Sequence, residues 1–545
     1  MNYQKISEFD LLIVGSGVAG LSAAIAGTAA GMNIGILTKG ELEQSATKWA
    51  QGGVAAVIDS EQDSTDFHLE DTINVGAGLC DPVAVSVLVN EGPIRVKELI
   101  SLGAVFDVGS DGVFQLAKEG GHSFPRVLHA GGAATGAEIE RALVQAVTQT
   151  DIELLNGYLA IDLIIENNKC VGISALDSQG HIKQVRAQNV ILATGGAGQL
   201  YSVTTNPKEA TGDGIAMALR AGVAVADMEF MQFHPTALYH SSMPRPLLSE
   251  ALRGHGAILR DSHGNRFVDE LQSRDVVSRA IARCMAEQKT NHVWLDTTVL
   301  KDFAQRFPTV YSSLKSLGFD PEVEFIPVAP AAHYLCGGIL TDLDGATSLE
   351  GLWAAGETAC TGVHGANRLG SNSLLEGMVF APRIIEAIQE GKQYFAYQGA
   401  MEALKPVAEK ENNESNTNIK KCTKAPVIKT KSNFSVEQLE QFFGIDLSNL
   451  SKISTRREIL QKAMTIGAGV VRDETSLNYV ACLIEHLKSL SSGKYQEQEL
   501  ENLLIVASTL VSFSLTRTES RGSHWRRDFP EQKDDSWRCR IIKVS

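Results

Sequence analysis

No two of the eight cysteines, at 80, 170, 284, 336, 360, 422, 482 and 539, stand as a Cys-x-x-Cys pair. A disulfide framework, a structural zinc site and a cysteine-held iron–sulfur cluster all lack their usual spacing. The expected metal content is none, and the cysteines read as mostly reduced core fillers in a cytosolic chain. Aromatics are only 6%, and 15 prolines stand against 49 glycines, the balance of a chain with many tight strand-to-helix turns. Basic residues are the minority: Lys plus Arg is 49 and Asp plus Glu is 64, for a formal charge of −15. Such a surface repels phosphate backbones, which argues against general nucleic-acid binding. Long apolar runs are missing too. The apolar run at 11–14 is too brief for a signal-peptide core. The longest, 503–515, falls short of the roughly 20 residues a helix needs to cross a bilayer, so no membrane association is expected.

What is present is an ordinary globular balance, 44% apolar and 21% charged over 545 residues. At about 150 residues per domain that is three or four domains. The first forty residues read as a βαβ unit: a β-rich run at 9–14, the glycines Gly15, Gly17 and Gly20, an Ala-rich helix to Ala30, and a second short strand at 33–37. Between strand and helix the Gly-x-Gly-x-x-Gly spacing is a dinucleotide fingerprint. Gly15 makes the turn, Gly17 admits a pyrophosphate, and Gly20 lets helix and strand pack. The helix N-terminus then favours the diphosphate charge. One departure follows: where an acidic residue usually holds the ribose, this chain has Thr38, Lys39 and Gly40. A lysine cannot accept a hydroxyl hydrogen bond.

Strand and helix patterns alternate further along, with an apolar strand at 188–193 and a helix at 215–221. The texture changes between about 228 and 334, richer in His, Arg and Asp, and glycine-rich α/β texture returns after it. The expected fold class is therefore α/β: a discontinuous Rossmann-like dinucleotide-binding domain (1–227 and 335–404) with an inserted α+β capping domain (228–334). Residues 405–433 are polar, with six lysines between 410 and 431, and read as a solvated linker. Helix-period patterns then predict a C-terminal three-helix bundle within 434–545. His234, His333, Arg253, Arg274 and Arg368 fall in or beside the inserted segment. Cations gathered in an acidic chain imply an anionic ligand, and arginine's planar fork suits a carboxylate.

The fingerprint at 15–20, Ser-Ala-Thr-Lys-Trp-Ala-Gln-Gly-Gly at 45–53, Gln-Phe-His-Pro-Thr at 232–236, Ser-Arg-Asp at 273–275, His-Tyr at 333–334 and Gly-Val-His-Gly-Ala-Asn-Arg at 362–368 resemble the succinate dehydrogenase/fumarate reductase flavoprotein family. The likeness runs to about residue 400 and resumes in the helical tail. It implies one FAD per chain and a dicarboxylate clamped beneath the capping domain. By resemblance, Arg274 sits at the proton-exchanging position. Gln232, His234, His333 and Arg368 belong to the carboxylate site, Ser249 stands where threonine is usual, and Glu250 orients the cations. The implied flavin contacts are Gly15, Ser16, Gly17, Ala19, Gly20, Lys39, Ser45, Thr47, Gln51, Gly52, Asp213, Glu357, Ser373 and Leu374.

Two positions point to the aspartate-oxidising branch of that family. Glu119 puts an acid where the succinate and fumarate enzymes lack one, suited to an α-ammonium. Ala46 replaces the histidine that attaches flavin covalently in respiratory members, so non-covalent FAD is expected. The resemblance thus implies oxidation of L-aspartate to iminoaspartate, electrons passing to O2 or fumarate, as the first step of NAD biosynthesis, with quinolinate synthase consuming the imine. The alternative is the flavoprotein subunit of a succinate dehydrogenase or fumarate reductase. Monomer and homodimer both stay open.

Overall fold

The computed structural model describes residues 4–58, 61–406, 420–424 and 434–544. Its main sheet has seven strands. Gln4–Val14 lies at the centre, parallel to Ile34–Thr38 on one side and Ile182–Leu192 on the other. Glu153–Asn156 extends the first side, and an antiparallel pair, Lys169–Leu176 and Leu159–Glu166, extends the second. Leu352–Ala354 returns to pair in parallel with Ile182–Leu192, so the sheet closes only after the intervening chain has looped out. The helix Val18–Ala29 crosses between the first two strands. Its close approach depends on glycine: a Cβ at Gly20 would stand 2.1 Å from the Gly15 carbonyl oxygen, and Gly15 itself has φ +111°.

The looped-out chain builds a second, four-stranded antiparallel sheet in the order Met231–Leu238, Ile326–Leu335, Val293–Asp296, Ile258–Arg260. The helix Arg274–Gln288 lies in contact with its first strand. A separate apolar cluster, including Leu252, Leu259, Val277, Ile281, Leu295 and Phe303, forms its core.

The C-terminal part holds three long helices, Ile453–Gly467, Glu474–Ser489 and Gln498–Thr516, preceded by a short one, Val436–Phe443. The helix-period patterns, at 439–443, 459–464 and 477–487, fall on the short helix and the first two long ones, so the three-helix reading left out the third long helix, Gln498–Thr516. Ser435 and Gln438 form a capping box on that short helix, and Gly444 ends it at φ 58°. The apolar stretch at 503–515 is part of a 19-residue helix. By length and composition that helix is apolar enough to cross a membrane, yet Leu503, Val506, Leu510 and Phe513 are fully buried within the protein. It is a core helix here.

The tail departs most from expectation. Cys539–Lys543 is a strand that pairs with Val225–Ala226 of the body, and Lys420–Lys424, inside the segment read as a solvated linker, pairs with it in turn. The remainder of that segment, 407–419 and 425–433, lies outside the described residues. Buried ion pairs fix the tail in place: Arg517 bonds Glu229 at 2.6 Å and Glu519 at 3.0 Å, and Arg540 bonds Asp227. Cys80, Cys170, Cys284, Cys336 and Cys360 are buried free thiols, but Cys539 is disulfide-bonded, so the reading of reduced cysteines does not hold there.

Candidate active site

One continuous cleft runs between the two sheets, lined at one end by the glycine loop and at the other by the cationic side chains. At the first end the helix Val18–Ala29 starts at Gly17 with no side chain capping it. An uncapped N-terminus facing a cleft is suited to a diphosphate. Its Val18 N–H is taken by Thr47 Oγ1 at 2.9 Å, which ties the 45–53 loop to the glycine loop. Gln51 Oε1 is buried and unpaired at the cleft wall. A Cβ on Gly52 would meet only ordinary contacts, Ser371 Oγ at 3.7 Å and Glu119 Oε1 at 3.8 Å, so the floor there is open. These residues fit a flavin dinucleotide.

The unusual lysine has an explanation in the fold. Lys39 Nζ donates to Thr211 Oγ1 (2.7 Å), Asp213 Oδ2 (2.8 Å) and Glu499 Oε1 (2.7 Å). Burial works against the Lys39 charge, but Asp213 and Glu499 outweigh it and raise its pKa. The acceptor missing from the second strand is thus supplied from elsewhere, by Asp213, whose Oδ1 accepts from Asn502 Nδ2 at 2.8 Å. Glu357 also lines the cleft, and burial pushes its carboxyl up to about 7.

At the other end, Arg274, Arg368, His234, His333, Ser249, Glu250 and Glu119 all line the cleft. Arg274 Nε lies 2.8 Å from Glu250 Oε2. Burial opposes the Glu250 charge, but Arg274 and Arg253 hold its carboxyl below the usual range. Arg368 donates to Ser373 Oγ and stacks 4.3 Å over the Tyr334 ring. Its pKa is pushed down to about 10, by burial and then by Arg274. His234 and His333 cross at 5.2 Å, and both are held well below 6.5 by burial and by the nearby guanidiniums. Each histidine is therefore neutral. His234 Nδ1 accepts the Thr236 N–H, so Nε2, buried and unpaired, carries the proton as a donor at the cleft. Ser249 Oγ accepts the Ala251 N–H as a helix cap, which leaves its own proton to give. Four donors thus converge where positive charges crowd one another. Two carboxylates would relieve that crowding.

Glu119, unlike Glu250, has no arginine paired to it among the described residues. Its Oε2 accepts from Ser371 Oγ at 2.7 Å, and Oε1 is buried and unpaired. The loop that carries it is bolted down. His122 Nε2 reaches the Gly370 carbonyl at 3.0 Å, and Arg126, fully buried between Asp63 and Asp71, donates to His122 Nδ1.

Two expected contacts do not line the cleft. Gly20 serves helix packing, as its spacing implied, and Gln232 lies behind the arginines, with its amide already spent on Arg274, Arg368 and Asn367. Sequence reasoning also missed Tyr334 as the stacking platform for Arg368, Thr205 as the partner of His333 Nδ1 at 2.8 Å, and Ser371 as the donor to Glu119. Only the serine, preceding a helix start, had a local signal. That helix is Asn372–Gln389.

Residues 10–374 match the FAD binding domain family, and 457–544 match the fumarate reductase flavoprotein C-terminal family. The L-aspartate oxidase of Streptomyces coelicolor is 42% identical, covering 98% of this chain and 91% of the relative. That of Mycobacterium tuberculosis is 40% identical, covering 98% and 95%. The chain belongs to the L-aspartate oxidase family. Among solved structures, a variant of the E. coli quinol fumarate reductase FrdA chain superposes with a TM-score of 0.82 at 30% identity, covering 98% of this chain and 94% of that one. As a member of the aspartate oxidase family the chain is an FAD-dependent enzyme, and the uncapped helix, open floor and Gln51 of its cleft are where that cofactor fits.

Proposed function

We propose that this chain oxidises L-aspartate to iminoaspartate, the first step of NAD biosynthesis, with O2 or fumarate taking the electrons. The observation that carries the reading is Glu119: of the two carboxylates at the cationic end of the cleft, Glu250 is neutralised by Arg274 and Arg253, whereas Glu119 Oε1 is buried with no hydrogen-bond partner among the described residues. Aspartate is a dicarboxylate with one ammonium, and that wall is its electrostatic complement. Arg368, His234, His333 and Ser249 take the carboxylates, and Glu119 faces the ammonium through its free Oε1. Arg274, fixed by Glu250, already carries its proton at neutral pH and cannot take another, so it positions and neutralises. Gln232 acts one layer back by orienting both arginines.

When bound, FAD accepts a hydride equivalent from the substrate Cα. Gly15, Ser16, Gly17, Ala19, Ser45, Thr47, Gln51, Gly52, Lys39, Asp213, Glu357, Ser373 and Leu374 would hold it. Ala46 at the cleft offers no nucleophile, which supports a non-covalent cofactor. Residues 228–334 act as the cap over 1–227 and 335–404, excluding water from the reacting carbon. The imine hydrolyses in water, so it passes to quinolinate synthase in the same compartment, the cytosol.

Anaerobic addition of substrates to the yellow protein tests this. L-Aspartate should bleach the flavin, D-aspartate and L-glutamate should not, and air should then yield peroxide. Bleaching by succinate with none by L-aspartate would overturn the reading in favour of a succinate dehydrogenase-like subunit.

A further inference from the structure

The Glu119 carboxylate has a buried neighbour with no assigned role. The strands Leu116–Ala117 and Val127–Leu128 pair antiparallel, which brings the loop after the first beside the residue after the second. His129 Nε2 consequently lies 3.8 Å from Glu119 Oε1. Both side chains are buried, at 7% and 2% exposure. Among the described residues neither His129 nitrogen has a hydrogen-bond partner, and neither does Glu119 Oε1. Three unpaired polar atoms converging in one buried spot are costly unless something passes between them. The ring stands one layer behind the cleft: a Cβ on Gly53, which lines it, would be 3.2 Å from His129 Cε1. His255, close enough for His129 to disfavour its charge, is exposed to solvent.

Amine oxidation needs an outlet for a proton. L-Aspartate arrives as an ammonium, and the Cα–H bond can give up its hydride only once nitrogen has a free electron pair. The arginines are already protonated and cannot accept. We propose that His129 is a positioning residue that relays the ammonium proton away from Glu119 toward the His255 face. The ammonium N–H bond breaks, its electron pair stays on nitrogen, and the proton goes to Glu119 Oε1. It then moves to His129 Nε2, which restores the carboxylate. The imidazolium Nδ1–H bond then breaks, and the proton passes from that buried nitrogen to the His255 imidazole, whose exposed ring gives it to water. No electrons move in these steps. The inference rests on the proposed role of Glu119 as the ammonium partner.

Fumarate has no amine, so its reduction does not use this outlet. The charged and titratable groups facing the pair are His122, Arg253, Arg274 and Glu250 around Glu119, and His255 and Arg306 on the His129 side. His129→Gln keeps a polar side chain of similar reach but has no basic nitrogen to take up a proton. In the holoenzyme, flavin reduction by L-aspartate at pH 7 should fall at least about tenfold, the scale of a lost proton-transfer group. The loss should shrink at alkaline pH, where the amine deprotonates in water, while fumarate reduction by a chemically reduced flavin stays within about twofold. Equal losses in both directions, or a loss independent of pH, would overturn the relay. If the variant does not accumulate as holoenzyme, His129→Ala with added imidazole asks the same question: selective recovery of aspartate oxidation supports it, and no recovery with FAD bound overturns it. If a Glu119→Gln variant loses aspartate oxidation selectively while His129→Gln does not, the relay alone falls and the ammonium site stands.

Discussion

The guanidiniums of Arg274 and Arg368 donate to a single oxygen, Oε1 of Gln232, at 3.1 and 3.2 Å. The Gln232 amide nitrogen gives its protons to Asn367 Oδ1 and the Arg368 carbonyl, both at 2.8 Å, so the amide cannot flip. Gln232→Leu removes the shared acceptor and leaves buried donors unpaired, at about 1–3 kcal/mol each. The expected outcome is a rise of tenfold or more in KM for both aspartate and fumarate, with FAD still bound. Steady-state kinetics and succinate titration of the flavin spectrum check it.

Glu119→Gln keeps the bond from Ser371 but removes the charge facing the ammonium. Aspartate binding should weaken by about 1.5–3 kcal/mol, roughly ten- to a hundredfold, while succinate binding and fumarate reduction hold. Comparing the two ligands on one preparation makes the measurement.

Glu499 stands on the C-terminal helix Gln498–Thr516 yet bonds Lys39 at the dinucleotide end of the cleft. Glu499→Gln should weaken FAD affinity several-fold by freeing Lys39 to draw Asp213 away from the cofactor, with KM for aspartate unchanged once FAD saturates. Quenching of free flavin fluorescence on titration reads this directly.

Glu357, raised to about 7 by burial, links FAD binding to pH. A hydroxyl donated to this carboxyl favours its ionised form, so the bound-state pKa lies below the free value. FAD affinity should therefore increase as pH rises toward about 7 and level off above it, by up to about tenfold per pH unit. The informative comparison is Glu357→Gln, which should flatten this dependence.

Gly20→Ala places a Cβ 2.1 Å from the Gly15 carbonyl oxygen. The loop must shift, at about 1–3 kcal/mol for overpacking of this kind, and FAD binding should be lost ahead of the fold. Thermal melting with and without FAD separates the two effects.

Much of this was legible from local pattern. The predicted strand at 33–37 is observed at Ile34–Thr38, and the first helix ends within a residue of the expected place, because glycine spacing and side-chain periodicity act over a few residues. The tail was not legible. Cys539–Lys543 finds its partner at Val225–Ala226, more than three hundred positions away, and no local signal marks such a pairing.

By itself the sequence determined which chemical groups are present: the glycines that admit a dinucleotide, the arginines and histidines, one added acid at Glu119 and an alanine at 46. Only the tertiary structure decided what each group meets. It set Gln232 behind the arginines rather than in the cleft, gave Lys39 its acid from the C-terminal helix, and brought His129 beside Glu119. Side-chain identity is local, whereas charge, burial and hydrogen-bond partnership depend on what folding brings within a few ångströms.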